Sequence, residues 1–373
     1  MSMPSIIFLV THTSRGGVQE LWENLAEGFR DRGFRSDLLA LYPAETAQGR
    51  TLSGWRYVAP RKPTNVRQQV ATVRGLARIL KEEQPALVVT AMPAANVVAP
   101  IAARLAGNGS RVVVTHHSPT DTHHPLLNAV DGFTGSLDTV EAIVSVSDAV
   151  AQSLNRKPRR YRAKRRTIHN ALPPHVERQL TTLAGPHARR RPNGRTVVAI
   201  GRLAAQKNHP MLLRAAVHMP DINVMIIGAG PDEAMLKELA ASLGVDQRVS
   251  FLGQLPREEA LARLAAGDVF AQVSLFEGHS LALIEAAKLG LPLVVSDVPV
   301  QIEGTTAADG TRCALVVDPT DDVGLATVVR RLLNDTGHYA QWAARSRQLA
   351  DGATFDATMA AYLRLLPPSG LVQ

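Results

Sequence analysis

Residues Asp268 to Asp297 read DVFAQVSLFEGHSLALIEAAKLGLPLVVSD. DVFAQVS and LPLVVSD are short apolar runs rich in β-branched residues. Between them LALIEAAKLG has helical spacing and is closed by Gly290 and Pro292. An apolar strand, a helix and a second apolar strand form the crossover unit of a parallel sheet, buried on both faces. The connecting loop carries Glu277 beyond the first strand's carboxyl end. Ser280 is placed to cap the helix, whose free N–H groups and partial positive charge make a ready anion site. Glu285 lies over one turn inside. A carboxylate accepts two hydrogen bonds and so suits the vicinal hydroxyls of a sugar or ribose. Alone, Glu277 reads equally as a loop acid and Glu285 as an exposed helix acid. Together, around an anion-binding turn, they point to a site.

Outward from this stretch the pattern repeats. SIIFLV is followed by a Gly-Gly turn and a helix with Val18, Leu21, Trp22, Leu25 and Phe29 on one face. ALVVTAM, RVVVTHH and EAIVSVS read as further buried strands. From about Pro173 to Arg195 the pattern dissolves into Pro, Arg and Gly, which marks a domain boundary. It restarts with TVVAIG, INVMIIG and RVSFLG, with helices such as DEAMLKELAASLG and REEALARLAAG between strands. The expected fold is α/β, with two Rossmann-like doubly wound domains over 1–180 and 190–352 and a cleft between them. The remaining segment, 353–373, reads as helical.

Composition excludes several classes. The chain has 373 residues, 45% hydrophobic and 20% charged, the profile of a folded domain pair. Its apolar runs fall far short of the ~20 residues that span a bilayer. PSIIFLV lacks a basic n-region and a cleavage site, so it reads as a strand, and a cytoplasmic protein is expected. Cys313 is the only cysteine, which leaves no internal disulfide and no cysteine metal cage. The net charge of +8 is unevenly spread: RKPRRYRAKRR, Arg156 to Arg166, holds eight basic residues in eleven, and HARRRPNGR, His187 to Arg195, is a second cluster. Such runs suit nucleic acid, anionic lipid or an anionic substrate, and a solvated loop explains them equally. No nucleic-acid signature accompanies them and aromatics are only 4%, so nucleic acid is not expected as a partner.

Other motifs fall at strand ends. GRLAAQKNHP follows TVVAI and places Arg202 and Lys207 where a fork and a point charge suit a pyrophosphate. HTSRGGVQE puts Gly16 and Gly17 after the first strand, where a tight turn or a phosphate accounts for them equally. IIGAGPD offers Gly228 and Gly230 without the third glycine of a dinucleotide fingerprint. VTHHSPTDTHH brings His116, His117, His123 and His124 after RVVV. The pairs lack the helical i, i+4 spacing of zinc sites, so no metal is expected. One of these histidines is expected to meet a substrate, with the others solvated.

In order and spacing, GRLAAQKN, IIGAGPD, VSFLGQLPREE and FEGHSLALIEAAKLGLPLVVSD resemble the retaining glycosyltransferases of family 4, which have the GT-B fold. Glu277 and Glu285 match that family's Glu-x7-Glu motif. The first half is similar more loosely, through the Gly-Gly turn, VVVTHH, SVSDAV and TIHNAL; TIHNAL lacks the Pro and Gly of the family's Pro-Asn-Gly segment. The resemblance implies an acceptor-binding first domain, a donor-binding second domain and a final helix crossing back to the first. It implies that Arg202 and Lys207 clamp the donor diphosphate, that Glu285 holds the ribose, and that Glu277 contacts the donor sugar. Gly278, His279, Ser280 and Leu281 would line sugar and phosphate, with Gly16, Gly17, Gly201, Gly228 and Gly253 as further donor-site residues. His117, which fits the family's histidine better than His116, would bond the transferred sugar.

By the same resemblance, the expected reaction is hexosyl or N-acetylhexosaminyl transfer from a nucleotide-diphosphate sugar. UDP is favoured over GDP, and transfer needs no metal or other cofactor. The acceptor would be a glycan, a lipid-linked sugar or a small molecule, and the basic runs suggest peripheral contact with an anionic membrane at the cytoplasmic face. Two other readings remain beside it. An epimerase of the same fold would react without acceptor. A basic binding module would have no use for Arg202, Lys207, Glu277 and Glu285 together.

Overall fold

A computed structural model of the chain describes residues 4–13, 17–44, 54–187, 195–350 and 354–367. The chain divides into two compact units, Met1–Asn170 with Asp356–Gln373, and Ala171–Phe355. The helix Phe355–Leu363 lies almost wholly within the first unit's share.

Among the described residues the first unit has seven strands: β1 Ser5–His12, β2 Arg35–Tyr42, β3 Trp55–Tyr57, β4 Leu87–Ala91, β5 Arg111–His116, β6 Val140–Ser145 and β7 Arg165–Thr167. Their order is β3-β2-β1-β4-β5-β6-β7, and every pairing is parallel. β1 pairs Ser5 with Arg35 on one side and Ile6 with Leu87 on the other, and its side chains are covered on both faces. The first helix, Gly17–Asp31, buries Leu21, Trp22, Leu25 and Phe29. Phe8 meets Trp22 and Phe29 with ring centroids 5.5 and 5.8 Å apart.

The second unit has six strands among its described residues: β8 Thr196–Ile200, β9 Asn223–Ile227, β10 Val249–Phe251, β11 Val269–Gln272, β12 Leu293–Ser296 and β13 Leu315–Val317. Their order is β10-β9-β8-β11-β12-β13, again all parallel. One face of the sheet packs around Met211, Leu213, Leu325 and Val329, the other around Leu261, Leu264, Leu283 and Ala286. Both sheets are doubly wound, as the alternation of strands and helices predicts.

The structure departs from the sequence reading in two places. The stretch 173–195, expected to lack regular structure, contains the helix Pro174–His187, which belongs to the second unit. Pro174 occupies its first turn, where a missing N–H costs nothing, and Val176 and Leu180 recur one turn apart and enter the second core. The basic run Arg156–Arg166 is not simply a solvated loop. It contains the short helix Arg159–Ala163 and opens β7, and Lys157 and Tyr161 are buried.

Candidate functional site

A doubly wound sheet leaves a crevice beyond the carboxyl ends of the two strands where the winding reverses. In the second unit these strands are β8 and β11. β8 runs into Gly201, Arg202 and the tight turn Ala205–Lys207, while β11 runs into the loop that ends at Ser280.

Lys207 Nζ donates to Glu277 Oε1 at 2.6 Å, and Ser274 Oγ donates to the same oxygen at 2.6 Å. Gln206 Nε2 donates to the Phe276 carbonyl at 3.0 Å and approaches Glu277 Oε2 at 3.4 Å. The Leu275 N–H donates to the Gln206 carbonyl at 2.8 Å, so the two loops are stitched through backbone as well. Asn208 makes the turn possible. It adopts a left-handed backbone (φ 53°), which Asn tolerates better than most residues. Its side-chain amide donates to the carbonyls of Val273 (3.1 Å) and Pro319 (2.9 Å).

Gly201 has a concrete role in this arrangement. A Cβ there would stand 2.6 Å from Lys207 Cε, so the bare backbone leaves room for the lysine stem. Gly228 (φ 138°) is demanded by packing, since its Cβ would lie 2.0 Å from the Gly201 carbonyl oxygen. Gly253 (φ 69°) pairs with Gly228 in an isolated bridge. Arg202 follows Gly201 on the same loop and is exposed. His209, at the start of the helix His209–Val217, is buried, and its ring is hydrogen-bonded to the Arg202 backbone. Burial, aided by the Lys207 charge, pushes its pKa down to about 4, which keeps the ring neutral at pH 7.

The second acid is fixed from another direction. Glu285 is buried on the helix Leu281–Lys288, and Arg257 Nη2 meets its Oε1 at 2.5 Å. Ser280 caps that helix, as its sequence position predicts. Its Oγ accepts from the Leu283 N–H at 3.4 Å and donates to Gln272 Oε1 at 2.8 Å. Gly278 is buried, and His279 and Leu281 are half-buried on the same loop and first turn.

In the first unit, Gly16 lies outside the described residues. Gly17 opens the first helix, and a Cβ there would meet open space. His117 is half-buried at the end of β5. Its Nε2 lies 2.8 Å from Thr115 Oγ1, and its ring stands edge-on to Trp22 at 5.3 Å. Desolvation by this packing, then the neighbouring His116, holds its pKa well below the usual histidine range.

The expectation that the remaining histidines are solvated fails for His116, which is interior. Its Nε2 lies 2.6 Å from Tyr161 Oη; that hydroxyl also donates to Asp131 Oδ2 at 2.9 Å, and Lys157 Nζ donates to the same oxygen at 2.7 Å. Burial pushes the pKa of His116 down to about 4. His123 is half-buried with its Nε2 2.9 Å from Ser118 Oγ, and only His124 of the four is exposed.

The structure therefore brings Gly201, Lys207 and Glu277 together, leaves Arg202 exposed on the loop after Gly201, and carries Glu285 on the helix that Ser280 caps. Sequence reasoning missed Ser274, Gln206, Asn208 and Arg257. Ser274, Gln206 and Asn208 lie within the quoted stretches, close to the residues singled out there. Arg257 stands 28 residues from Glu285, and no local pattern announces that pair.

Two family comparisons cover most of the chain. Residues 187–349 match the family described as Glycosyl transferases group 1, and residues 15–175 match the one described as Glycosyltransferase Family 4. The D-inositol 3-phosphate glycosyltransferase of Mycolicibacterium smegmatis is 30% identical over 267 residues, 66% of this chain and 58% of that protein. The GDP-mannose-dependent alpha-(1-6)-phosphatidylinositol monomannoside mannosyltransferase of the same organism is 33% identical over 180 residues, 42% of this chain and 46% of that one. The chain thus spans about half the length of the curated relatives it matches. Among solved structures, Anabaena HepE in complex with UDP and glucose superposes with a TM-score of 0.77 at 19% identity, covering 98% of this chain and 99% of its own. That likeness establishes the shared fold.

Proposed function

The chain belongs to glycosyltransferase family 4, and on that premise we propose that it is a retaining transferase acting on a nucleotide-diphosphate sugar. It moves a hexosyl or N-acetylhexosaminyl group to a hydroxyl of a glycan, lipid-linked or small-molecule acceptor. The observation that carries this reading is the Lys207–Glu277 pair, 2.6 Å apart at the β8/β11 switch point, with Arg202 exposed on the loop that leads to Lys207.

Departure of the nucleotide concentrates negative charge on the diphosphate. Arg202 as a fork, Lys207 as a point charge and the N–H groups at the start of the helix Leu281–Lys288 offset that charge where it develops. With cations in that role, transfer proceeds without a divalent metal. Glu277, steadied by Lys207 and Ser274, accepts hydrogen bonds from the transferred sugar. Glu285, steadied by Arg257, accepts them from the ribose.

HepE is described with UDP and the mannosyltransferase relative as GDP-mannose-dependent, so both bases enter the test, with UDP favoured. Calorimetric titration with UDP, GDP, ADP and TDP, with and without a divalent metal, is expected to give saturable, metal-independent binding of one diphosphate that Arg202→Ala weakens. Binding of none of the four sinks the donor-site reading. Consumption of a nucleotide sugar without acceptor, yielding its epimer, replaces transfer by epimerisation.

A peripheral membrane contact at the cytoplasmic face completes the proposal. It rests on Arg156, Arg159, Arg160, Arg162 and Arg166, all exposed on one segment. No helix among the described residues is long and apolar enough to cross a membrane. Failure to sediment with anionic vesicles at low salt ends that part of the reading.

A further inference from the structure

Beside the acid loop lies an open hollow bordered by Gln272, Glu277, His279, Ser280 and Gln301 and by the apolar side chains of Leu283, Ile284 and Val300. Gln301 comes from the helix Pro299–Gly304 after β12 and is 2% exposed, yet neither its amide nitrogen nor its amide oxygen has a hydrogen-bond partner. Gln272 ends β11 and is 4% exposed. Its oxygen accepts from Ser280, while its nitrogen has no partner. A buried amide group left unpaired is costly, so two side chains with unpaired atoms on one hollow mark a place where a polar guest completes them.

The chemistry of the wall narrows that guest. Gln272 offers N–H donors, and Gln301 offers both donors and an acceptor, all neutral. The one carboxylate on the wall, Glu277, has Oε1 shared by Lys207 and Ser274. A phosphate would face that carboxylate, and none of the residues lining the hollow is a lysine or arginine. A bare cation would find amide donors. A neutral group whose hydroxyls both give and accept hydrogen bonds, with an apolar face to set on Leu283, Ile284 and Val300, satisfies every part of the wall.

We propose that Gln301, with Gln272, reads the hydroxyls of the transferred sugar and thereby sets which sugar the enzyme accepts. This rests on the donor-site reading above and adds two residues that no local motif singles out. Gln272 has a second function, because through Ser280 it ties the hollow to the cap of the helix carrying Glu285.

The test compares a nucleoside diphosphate with its sugar conjugates. Calorimetry on the wild type with UDP, UDP-glucose, UDP-galactose and UDP-N-acetylglucosamine, or the GDP series if GDP binds, gives the affinity gained on adding each sugar. Gln301→Leu is expected to leave diphosphate affinity within about twofold, cut the gain from the preferred sugar roughly tenfold, and flatten the preference among sugars. Should Gln301→Leu fail to fold, Gln301→Asn retracts the same amide by one methylene and gives the same readout. An unchanged gain and an unchanged preference, with diphosphate binding intact, overturn the role of the hollow and leave the donor reading standing. Absence of diphosphate binding in the wild type itself removes both.

Discussion

The two units bury the same ingredients to different ends. In the second, Lys207, Glu277 and a neutral His209 meet at the carboxyl ends of β8 and β11, with Arg202 exposed on the same loop. In the first, Lys157, Asp131 and a neutral His116 meet around Tyr161, inside the run whose arginines face solvent. Composition alone does not separate these clusters. What separates them is position on the sheet: one lies at the switch point between β8 and β11, the other joins β5 to the segment that leads into β7. On the function proposed above, the switch-point cluster does electrostatic work on a guest. The second holds a charged surface to its core.

That contrast can be broken by experiment. The largest expected effect is on turnover: Lys207→Ala should lower kcat by about 10²–10³, the cost of removing one preorganised charge from a developing anion. A loss under about fivefold would remove Lys207 from the chemistry and make the two clusters alike. Next, Asp131→Asn strips the counter-charge from the buried Lys157 ammonium and should cost about 3–5 kcal/mol in urea unfolding, with diphosphate affinity of the folded variant unchanged. A variant that keeps its stability but loses nucleotide binding would reverse the assignment.

The third effect is on pH. His116 and His209 each take up a proton at about pH 4 when folded, against 6.5 for an ordinary histidine. The unfolded chain therefore binds those protons first as pH falls. Stability is whole above pH 6.5 and declines through the window down to about 4, by up to about 3 kcal/mol for each ring. Denaturant titrations across that window should show the decline, with a shallower slope in His116→Gln; an unaltered slope would mean the ring is not the group that titrates. The smallest effect belongs to the cap. Ser280→Ala should cost about 1 kcal/mol, with a modest loss of sugar-nucleotide affinity because Gln272 loses its tether. A thermal melt identical to wild type would show the cap to be idle.

How much of this was legible depended on the range over which each feature is encoded. β1, β4, β5, β6 and the strands from β8 to β12 coincide with apolar runs that a period-two or buried-strand reading finds. β7 does not, because an edge strand of Arg165, Arg166 and Thr167 carries no apolar signal at all. Lys207, Glu277, Ser280 and Glu285 could be picked out because strand end, loop and helix start follow one another in the chain. Arg257 could not, because its meeting with Glu285 depends on how two helices pack against one sheet face. Lys157 misled for the opposite reason. Within a run of like charges it reads as one more solvated cation, and it is Asp131 and the Asn128 carbonyl, 26 and 29 residues earlier, that hold it inside.

The buried hold on that run bears on how the protein meets a protease. The segment from Arg156 to Arg166 concentrates trypsin's preferred residues as densely as any stretch of the chain. Cleavage requires an extended substrate, and Tyr161 and Lys157 keep this segment packed. Its arginines can therefore sit in solvent for long periods without being cut. Once the Tyr161–Asp131 lock opens, the same density offers several cut sites at once, so the rate of nicking within the segment is expected to report how often the first unit opens there.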